Sequence, residues 1–330
     1  MSATNYGLSE KQQKVFKGIK ERLNASIQEG IAKTNRLPWN SKIIESLGLP
    51  TRINGEKYKG KNVWIFSAEA IAKGYTSNTW IGYKEAARRG GQVRKGEKAT
   101  TGVNRFWAPF KCKVDCTKPN HCIAKQGEDY RIRIDEETGK PIGKMRLTWF
   151  NVFNSNQIDW SEAKGGEPCH LPTGSEFESE EYADKILKAY LDKTGVTFRE
   201  VPIGDQNPHY NPNSDTVNLP LKVQFEEASA YYSAAFHEIG HSTSKEGRVH
   251  RVFNYGMHKE RGLEEMSVEW AAAYLQNWCG IKGAEDAEKE STAYIQSWSN
   301  AIDKDPDLIF DAMDMADRIS NFILKQCDDC

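Results

Sequence analysis

Residues 236–241 read FHEIGH, two histidines four apart with a glutamate directly after the first. That spacing puts His237 and His241 on one face of a helix. The preceding residues, ASAYYSAAF (228–236), are apolar and aromatic, which predicts that the helix is buried. A buried His–Glu–His face without a partner is costly, so the fold must bring a cation or further polar groups against it. Two imidazoles arranged this way reach one Zn²⁺ at about 2.0–2.1 Å. Glu238 then stands where a carboxylate can take a proton from water during attack on a carbonyl. The bland alternative is a polar, solvated helix face.

A catalytic zinc takes three protein ligands and keeps one position open. The next helical stretch, GLEEMSVEWAAAYLQNW (262–278), opens on Glu264 and Glu265 and carries Glu269 one turn later. A glutamate ligand here gives the gluzincin arrangement. Glu265 is favoured as the third ligand, because Glu269 four residues on can orient a ligand histidine from behind; Glu264 remains the alternative. His250 and His258 keep a three-histidine site open. Tyr210, Tyr255 and these two histidines are candidate donors to a developing oxyanion.

The chain has 330 residues, 38% hydrophobic and 28% charged, which suits two globular domains. No run of 18 apolar residues predicts a membrane span. The first residues, MSATNYGLSEKQQKVFKGIKERL, lack the apolar core of a secretory leader and read as an amphipathic helix over 9–29 with Ser9 as N-cap. With seven cysteines and no leader, reduced thiols and a cytoplasmic location are expected. The Gly/Pro/Ser/Glu-rich stretch from Ser161 to Ser179 divides the chain into 1–165, a linker at 166–178, and 179–330. Strand-like runs at 62–66 (NVWIF), 102–107 and 145–153, with helical patterns at 9–29 and 79–89, make the first half α+β. In the second half, helices are expected over 179–193, 223–242, 262–279 and within 284–325, and strands over 197–201 and 215–219. The run from Asp215 to Leu219 is expected to be an edge strand that an extended peptide could join.

The net charge is −1, so nucleic-acid binding would need a local basic surface. Two stretches supply candidates: Arg52, Lys57, Lys59 and Lys61 with Tyr58 and Trp64, and Lys84, Arg88, Arg89, Arg94, Lys95 and Lys98 with Trp80 and Tyr83. Lys and Arg neutralise phosphate, and exposed rings stack unpaired bases at about 1–3 kcal/mol each. No recognition-helix motif is visible, which favours single strands over duplex. The alternative is a solvated basic face with its rings in a small core. In KCKVDCTKPNHC (111–122), Cys112, Cys116 and Cys122 could hold a second, structural metal, or be plain surface thiols.

Taken together, these residues resemble the plasmid- and phage-borne ArdC-type antirestriction proteins over most of the chain. The likeness rests on LPWN (37–40), GLPTRINGEKYKGKNVW (48–64), the basic run at 80–98 and VFNSNQID (152–159). It continues through HYNPNSDTVNLP (209–220), YYSAAFHEIGHST (231–243), GRVHR (247–251) and GLEEMSVEWAAAYL (262–275). The loop at 112–122 departs from the pattern as an insertion. The resemblance implies an N-terminal α+β domain that binds single-stranded DNA and a C-terminal zincin-like metallopeptidase domain. It also implies protection of incoming DNA from restriction in a bacterial host cell. Carried across, His237 and His241 match the ligands, Glu238 the catalytic glutamate and Glu265 the acidic position of the next helix. A His₂Glu site also accepts other divalent ions. Two rival readings stand beside peptide hydrolysis: a DNA-coating protein with a structural metal, and a protease directed to DNA-bound proteins, a restriction enzyme among them.

Overall fold

Gly60 and Gly74 bracket thirteen residues, KNVWIFSAEAIAK, and this segment sits at the centre of the N-terminal half. The computed structural model describes residues 10–34, 48–112, 122–124, 130–161, 179–202, 207–251, 258–281 and 306–328. Ser9, the 166–178 linker and Cys116 lie outside them. NVWIF was expected as a strand; it is the start of helix α2 (Lys61–Lys73), buried from Val63 to Ala72. A short apolar run does not separate strand from helix, and here length decides. The run continues through helix-forming alanines to Gly74, whose left-handed φ of 66° ends the helix.

Helix α1 (Glu10–Thr34) lays Ile19, Leu23 and Ile27 into the core at four-residue spacing. The sheet beside α2 has the order β1 (Thr51–Arg52), β2 (Thr79–Ile81), β8 (Gly143–Asn154), β4 (Thr100–Pro109). The helix expected over 79–89 is therefore split: 79–81 pair as a strand, and α3 covers only Tyr83–Arg88. Next to α3, β3 (Gln92–Val93) pairs with β9 (Ile158–Asp159). The strands expected at 102–107 and 145–153 form one long hairpin, in register from Thr100↔Val152 to Pro109↔Gly143. Past its end, β7 (Arg131–Arg133) lies between β5 (Lys111–Cys112) and β6 (Cys122–Ala124).

In the C-terminal half, α4 (Ser179–Thr194) leads into a three-stranded sheet of β10 (Thr197–Val201), β12 (Thr216–Pro220) and β11 (His209–Asn211), in that order. The strand expected at 215–219 is thus the central one. Its edges are occupied by β10, parallel to it, and β11, antiparallel, so it has no free edge for a peptide. The helix expected from 223 starts only at Ala228 as α5 (Ala228–Ser242), after a 3₁₀ turn over 222–224. Helices α6 (His258–Cys279) and α7 (Pro306–Leu324) complete the half.

The two halves share one apolar core. Trp64 of α2 meets Trp270 of α6 with ring centroids 4.8 Å apart, and Phe16 of α1 meets Phe310 of α7 edge-on at 5.2 Å. A Lys61–Asp314 ion pair lies at the same junction.

Candidate metal centre and the surfaces around it

Helix α5 presents His237 and His241 toward the first turns of α6. Gly240 lets the helices approach this closely, since a Cβ there would come within 3.3 Å of Val268. The Nε2 atoms of the two histidines are 3.1 Å apart, and Glu265 Oε2 lies 3.5 Å from one and 3.6 Å from the other. Among the described residues, these three form the group of ligand atoms close enough to share one ion.

The opposite ring nitrogens are held from behind. His237 Nδ1 donates to Glu269 Oε2 at 3.2 Å, and His241 Nδ1 donates to Glu264 Oε1 at 3.0 Å. Each carboxylate fixes its imidazole in the tautomer that turns Nε2 toward the shared point. Glu269 was expected behind a ligand histidine, and its contact is with His237.

Glu264 is fully buried, and besides His241 it meets an arginine. Arg251 grips it with Nε to Oε2 at 3.0 Å and Nη2 to Oε1 at 2.8 Å. The same guanidinium donates to the Gly240 carbonyl at 2.9 Å and to Thr243 Oγ1, both at the end of α5. Glu264 is occupied, and Glu265 faces the histidines. Reading the sequence missed Arg251; its signal was the GRVHR segment just after α5, where cations cap a helix's last carbonyls.

Burial alone would depress His237, but hydrogen bonds to Glu265 and then Glu269 outweigh it and raise the imidazole to about 10. His241 is likewise raised, by Glu264 and Glu265 against burial. Hydrogen bonds from both imidazoles hold Glu265 well below the usual carboxylate range. A site that draws protons this strongly offers its negative field to any cation. The donor set, two imidazole nitrogens and one carboxylate oxygen, fits a divalent zincin-type ion. Glu238, 7% exposed, follows His237 on the helix.

Tyr210 spends its hydroxyl on Asp215 Oδ1 at 2.9 Å. His250 is exposed, and the side chains of Tyr255 and His258 lie outside the described residues. Cys112 and Cys122 sit on β5 and β6, on opposite sides of β7. Two inter-strand spacings of about 4.8 Å separate those strands, too far for the two thiols to share an ion.

The predicted nucleic-acid residues are only partly available. Trp80 is 1% exposed, with its indole N–H donating to Asn78 Oδ1 at 2.8 Å. Tyr58 is 6% exposed and packs edge-on against Phe66. Neither ring can stack on a base, because the apolar neighbourhood of α2 has taken both into the core. Arg52 pairs with Glu56, Arg88 and Arg89 with Glu85, Arg94 with Glu97, and Lys61 with Asp314. Lys57 lies half-buried over the Trp278 ring. Lys59, Lys84, Lys95 and Lys98 are exposed.

Comparison with known proteins matches residues 13–153 to the N-terminal domain of anti-restriction factor ArdC and residues 183–315 to a zincin-like metallopeptidase domain. The crystal structure of the antirestriction protein ArdC from the R388 plasmid, metal-free, superposes with a TM-score of 0.62 at 27% identity, over 94% of this chain and 97% of that one. Its Mn(II)-bound form gives 0.63 at 26% identity, over 95% and 98%. The DNA primase TraC of Escherichia coli is 30% identical over 308 residues, 93% of this chain but 26% of that protein. The chain therefore spans about a quarter of that relative's length.

Proposed function

The chain belongs to the ArdC-type antirestriction proteins, an ArdC N-terminal domain followed by a zincin-like metallopeptidase domain, and from that premise we propose that it couples single-stranded DNA binding to zinc-dependent peptide hydrolysis. The N-terminal domain would hold the strand. The C-terminal domain would bind one Zn²⁺ through His237, His241 and Glu265 and act on a protein substrate in the cytoplasm of the bacterial host. The observation that carries the reading is the convergence of His237 Nε2, His241 Nε2 and Glu265 Oε2, with both Nδ1 atoms already committed to carboxylates. A histidine pair serving only the core would not need its outward nitrogens aimed at one point.

When bound, the ion would lower the pKa of its water to about 7 and polarise the scissile carbonyl. The rest falls to side chains. Glu238 accepts the proton from the attacking water and returns it to the leaving amine. Glu269 and Glu264 keep the imidazoles from rotating, so both Nε2 lone pairs stay on the shared point. Arg251 keeps Glu264 ionised inside the protein by meeting both its oxygens. The Mn(II)-bound structural neighbour supports a second reading of the metal, in which the same three ligands take another divalent ion.

The test is Glu238→Gln in zinc-loaded protein, assayed on a general protein substrate and on proteins assembled on single-stranded DNA. Metal content and oligonucleotide affinity should stay at the wild-type level, and cleavage should fall by roughly 10²-fold or more, the scale of a lost general base. Antirestriction that persists undiminished in this variant would favour coating of the DNA over hydrolysis.

A further inference from the structure

We propose that the outer end of the β4–β8 hairpin is a stacking platform for a single-stranded nucleic acid, with Phe106 and Trp107 taking bases and Lys144 and Arg146 meeting phosphates. This rests on the reading that the N-terminal domain binds single strands, and it moves the binding surface away from the basic run at 80–98.

Among the residues of the hairpin whose burial is described, Val103 and Leu147 are the outermost that are buried in the core. Beyond them the two strands run on in register to Pro109↔Gly143, still paired. Phe106 is 40% exposed and Trp107 46% exposed on this extension, and Ile123 on the sheet that follows is 43% exposed. Large exposed rings gathered on one projecting ribbon mark a binding surface more than scattered ones do. Successive residues of a strand face opposite sides, so the ribbon offers one ring on each face.

The face that carries Phe106 suits a polyanion. Phe106 stands opposite Arg146 in the register, and Ala108 opposite Lys144, both cations exposed. The described residues of the ribbon and the adjoining sheet carry Lys111, Arg131, Arg133, Lys140, Lys144 and Arg146 against Asp135, Glu136 and Glu137. This local excess of positive charge arises in a chain whose net charge is −1. An aliphatic protein-docking patch would not need cations beside the Phe106 ring, whereas bases stack on rings while the backbone seeks cations.

The Trp107 ring is also seated. A Cβ built on Gly143 would lie 2.6 Å from Cζ2 of the indole, so the ring occupies the space that a side chain at 143 would fill. The indole is thereby positioned against the opposite strand while nearly half its surface stays open. Pre-ordering of this kind reduces the entropy lost on binding. Tyr83, exposed at the start of α3 just after β2, is far off, because β2 pairs with β8 at Phe153, ten residues from Gly143. Ten residues of strand span roughly 33 Å.

The experiment measures binding of the full chain to fluorescein-labelled dT₂₀, and to a duplex of equal length, by anisotropy at fixed salt. Phe106→Ala/Trp107→Ala should weaken dT₂₀ binding at least about 10-fold, with an unchanged melting temperature. Trp107→Phe, which keeps a ring, should weaken it less. Repeated across a salt series, Lys144→Ala/Arg146→Ala should flatten the salt dependence by about 0.7 for each phosphate left without its cation, and Tyr83→Ala should bind as wild type. Wild-type affinity in the double aromatic variant overturns the platform and leaves single-strand binding standing. Duplex held as tightly as dT₂₀ also overturns it. No binding of dT₂₀ by the wild type removes the underlying reading, and the platform with it.

Discussion

His241 turns Nδ1 to Glu264 Oε1 at 3.0 Å, and that carboxylate is fully buried behind the ligand atoms. Its charge is matched by Arg251, whose side chain is 1% exposed. The relationship links three segments: the HExxH helix, the GRVHR loop and the first turn of α6. The orientation of a candidate ligand thus depends on an ion pair that lies outside the candidate site.

Replacing that carboxylate by its amide, Glu264→Gln, should weaken metal binding about 10–100-fold, the usual effect of losing a carboxylate behind a ligand histidine. It should also destabilise the fold by roughly 3–5 kcal/mol, because Arg251 is left buried without its counter-charge. Glu265→Gln should behave differently, losing the metal outright, while the metal-free protein gives up the stability that the Glu265 hydrogen bonds to both imidazoles contribute at neutral pH. Competition with a chromophoric chelator, paired with urea unfolding, separates the two. Equal metal affinity in Glu264→Gln and wild type would show that the network serves packing alone.

Metal uptake should release protons. In the metal-free protein His237 is raised to about 10 by Glu265 and Glu269 against burial, so at pH 7 it carries a proton that the ion must displace. Apparent metal affinity should therefore rise with pH until about pH 10. Linkage gives the metal-free protein the opposite trend. A raised histidine contributes stability that is complete below its unfolded pKa near 6.5, and that is lost as pH climbs toward 10. Calorimetry in two buffers of different ionisation enthalpy measures the protons released, and a value of zero at pH 7 would contradict the assignment.

A second charge cluster predicts acid sensitivity. Asp215 adopts a left-handed φ of 51° at the turn into β12 and accepts from Arg248, Lys245 and Tyr210. Burial pushes its carboxyl up, but Arg248, then Lys245 and Tyr210, outweigh that and hold it at about 2. A depressed carboxylate stabilises the fold above its unfolded pKa near 3.9, and that contribution disappears as pH falls toward 2. Asp215→Asn should therefore lower the melting temperature at pH 7 and reduce the stability lost between pH 4 and pH 2. An acid-unfolding profile identical to wild type would rule out this role.

The candidate metal centre was more legible than the candidate nucleic-acid surface. His237, Glu238 and His241 are local, and a four-residue spacing is enough to place them. Glu265 could be separated from Glu264 only through Glu269, because which glutamate turns inward depends on Arg251, thirteen residues before Glu264 and joined to it only by tertiary structure. The basic and aromatic run at 51–98 shows the opposite case. Composition counts Tyr58 and Trp80 as rings, but burial decides whether a ring can stack, and burial is set by α2. That helix was read as a strand because NVWIF alone fits either. The aromatics left outside, Phe106 and Trp107, fall in an ordinary strand pattern whose projection beyond the core no local signal reveals.

The same helix determines how the halves respond together. Trp64 and Trp270 are 6% and 1% exposed, with centroids 4.8 Å apart, one from each half. Phe16–Phe310 and Lys61–Asp314 extend the junction. Buried aromatics couple two domains more firmly than a polar interface, which permits relative motion. Truncating either tryptophan to alanine should cost about 3–5 kcal/mol, and the double variant should lose less than the two single losses combined, since the rings pack on each other. Zinc at about 100 times its Kd should add roughly 2.7 kcal/mol. If the halves unfold as one, that gain should also delay loss of the Phe66–Trp80 cluster on the far side of α2, seen by near-ultraviolet circular dichroism during urea unfolding. Two separate transitions, with Trp64→Ala shifting only the one that metal leaves alone, would show that the halves are energetically independent despite the shared core.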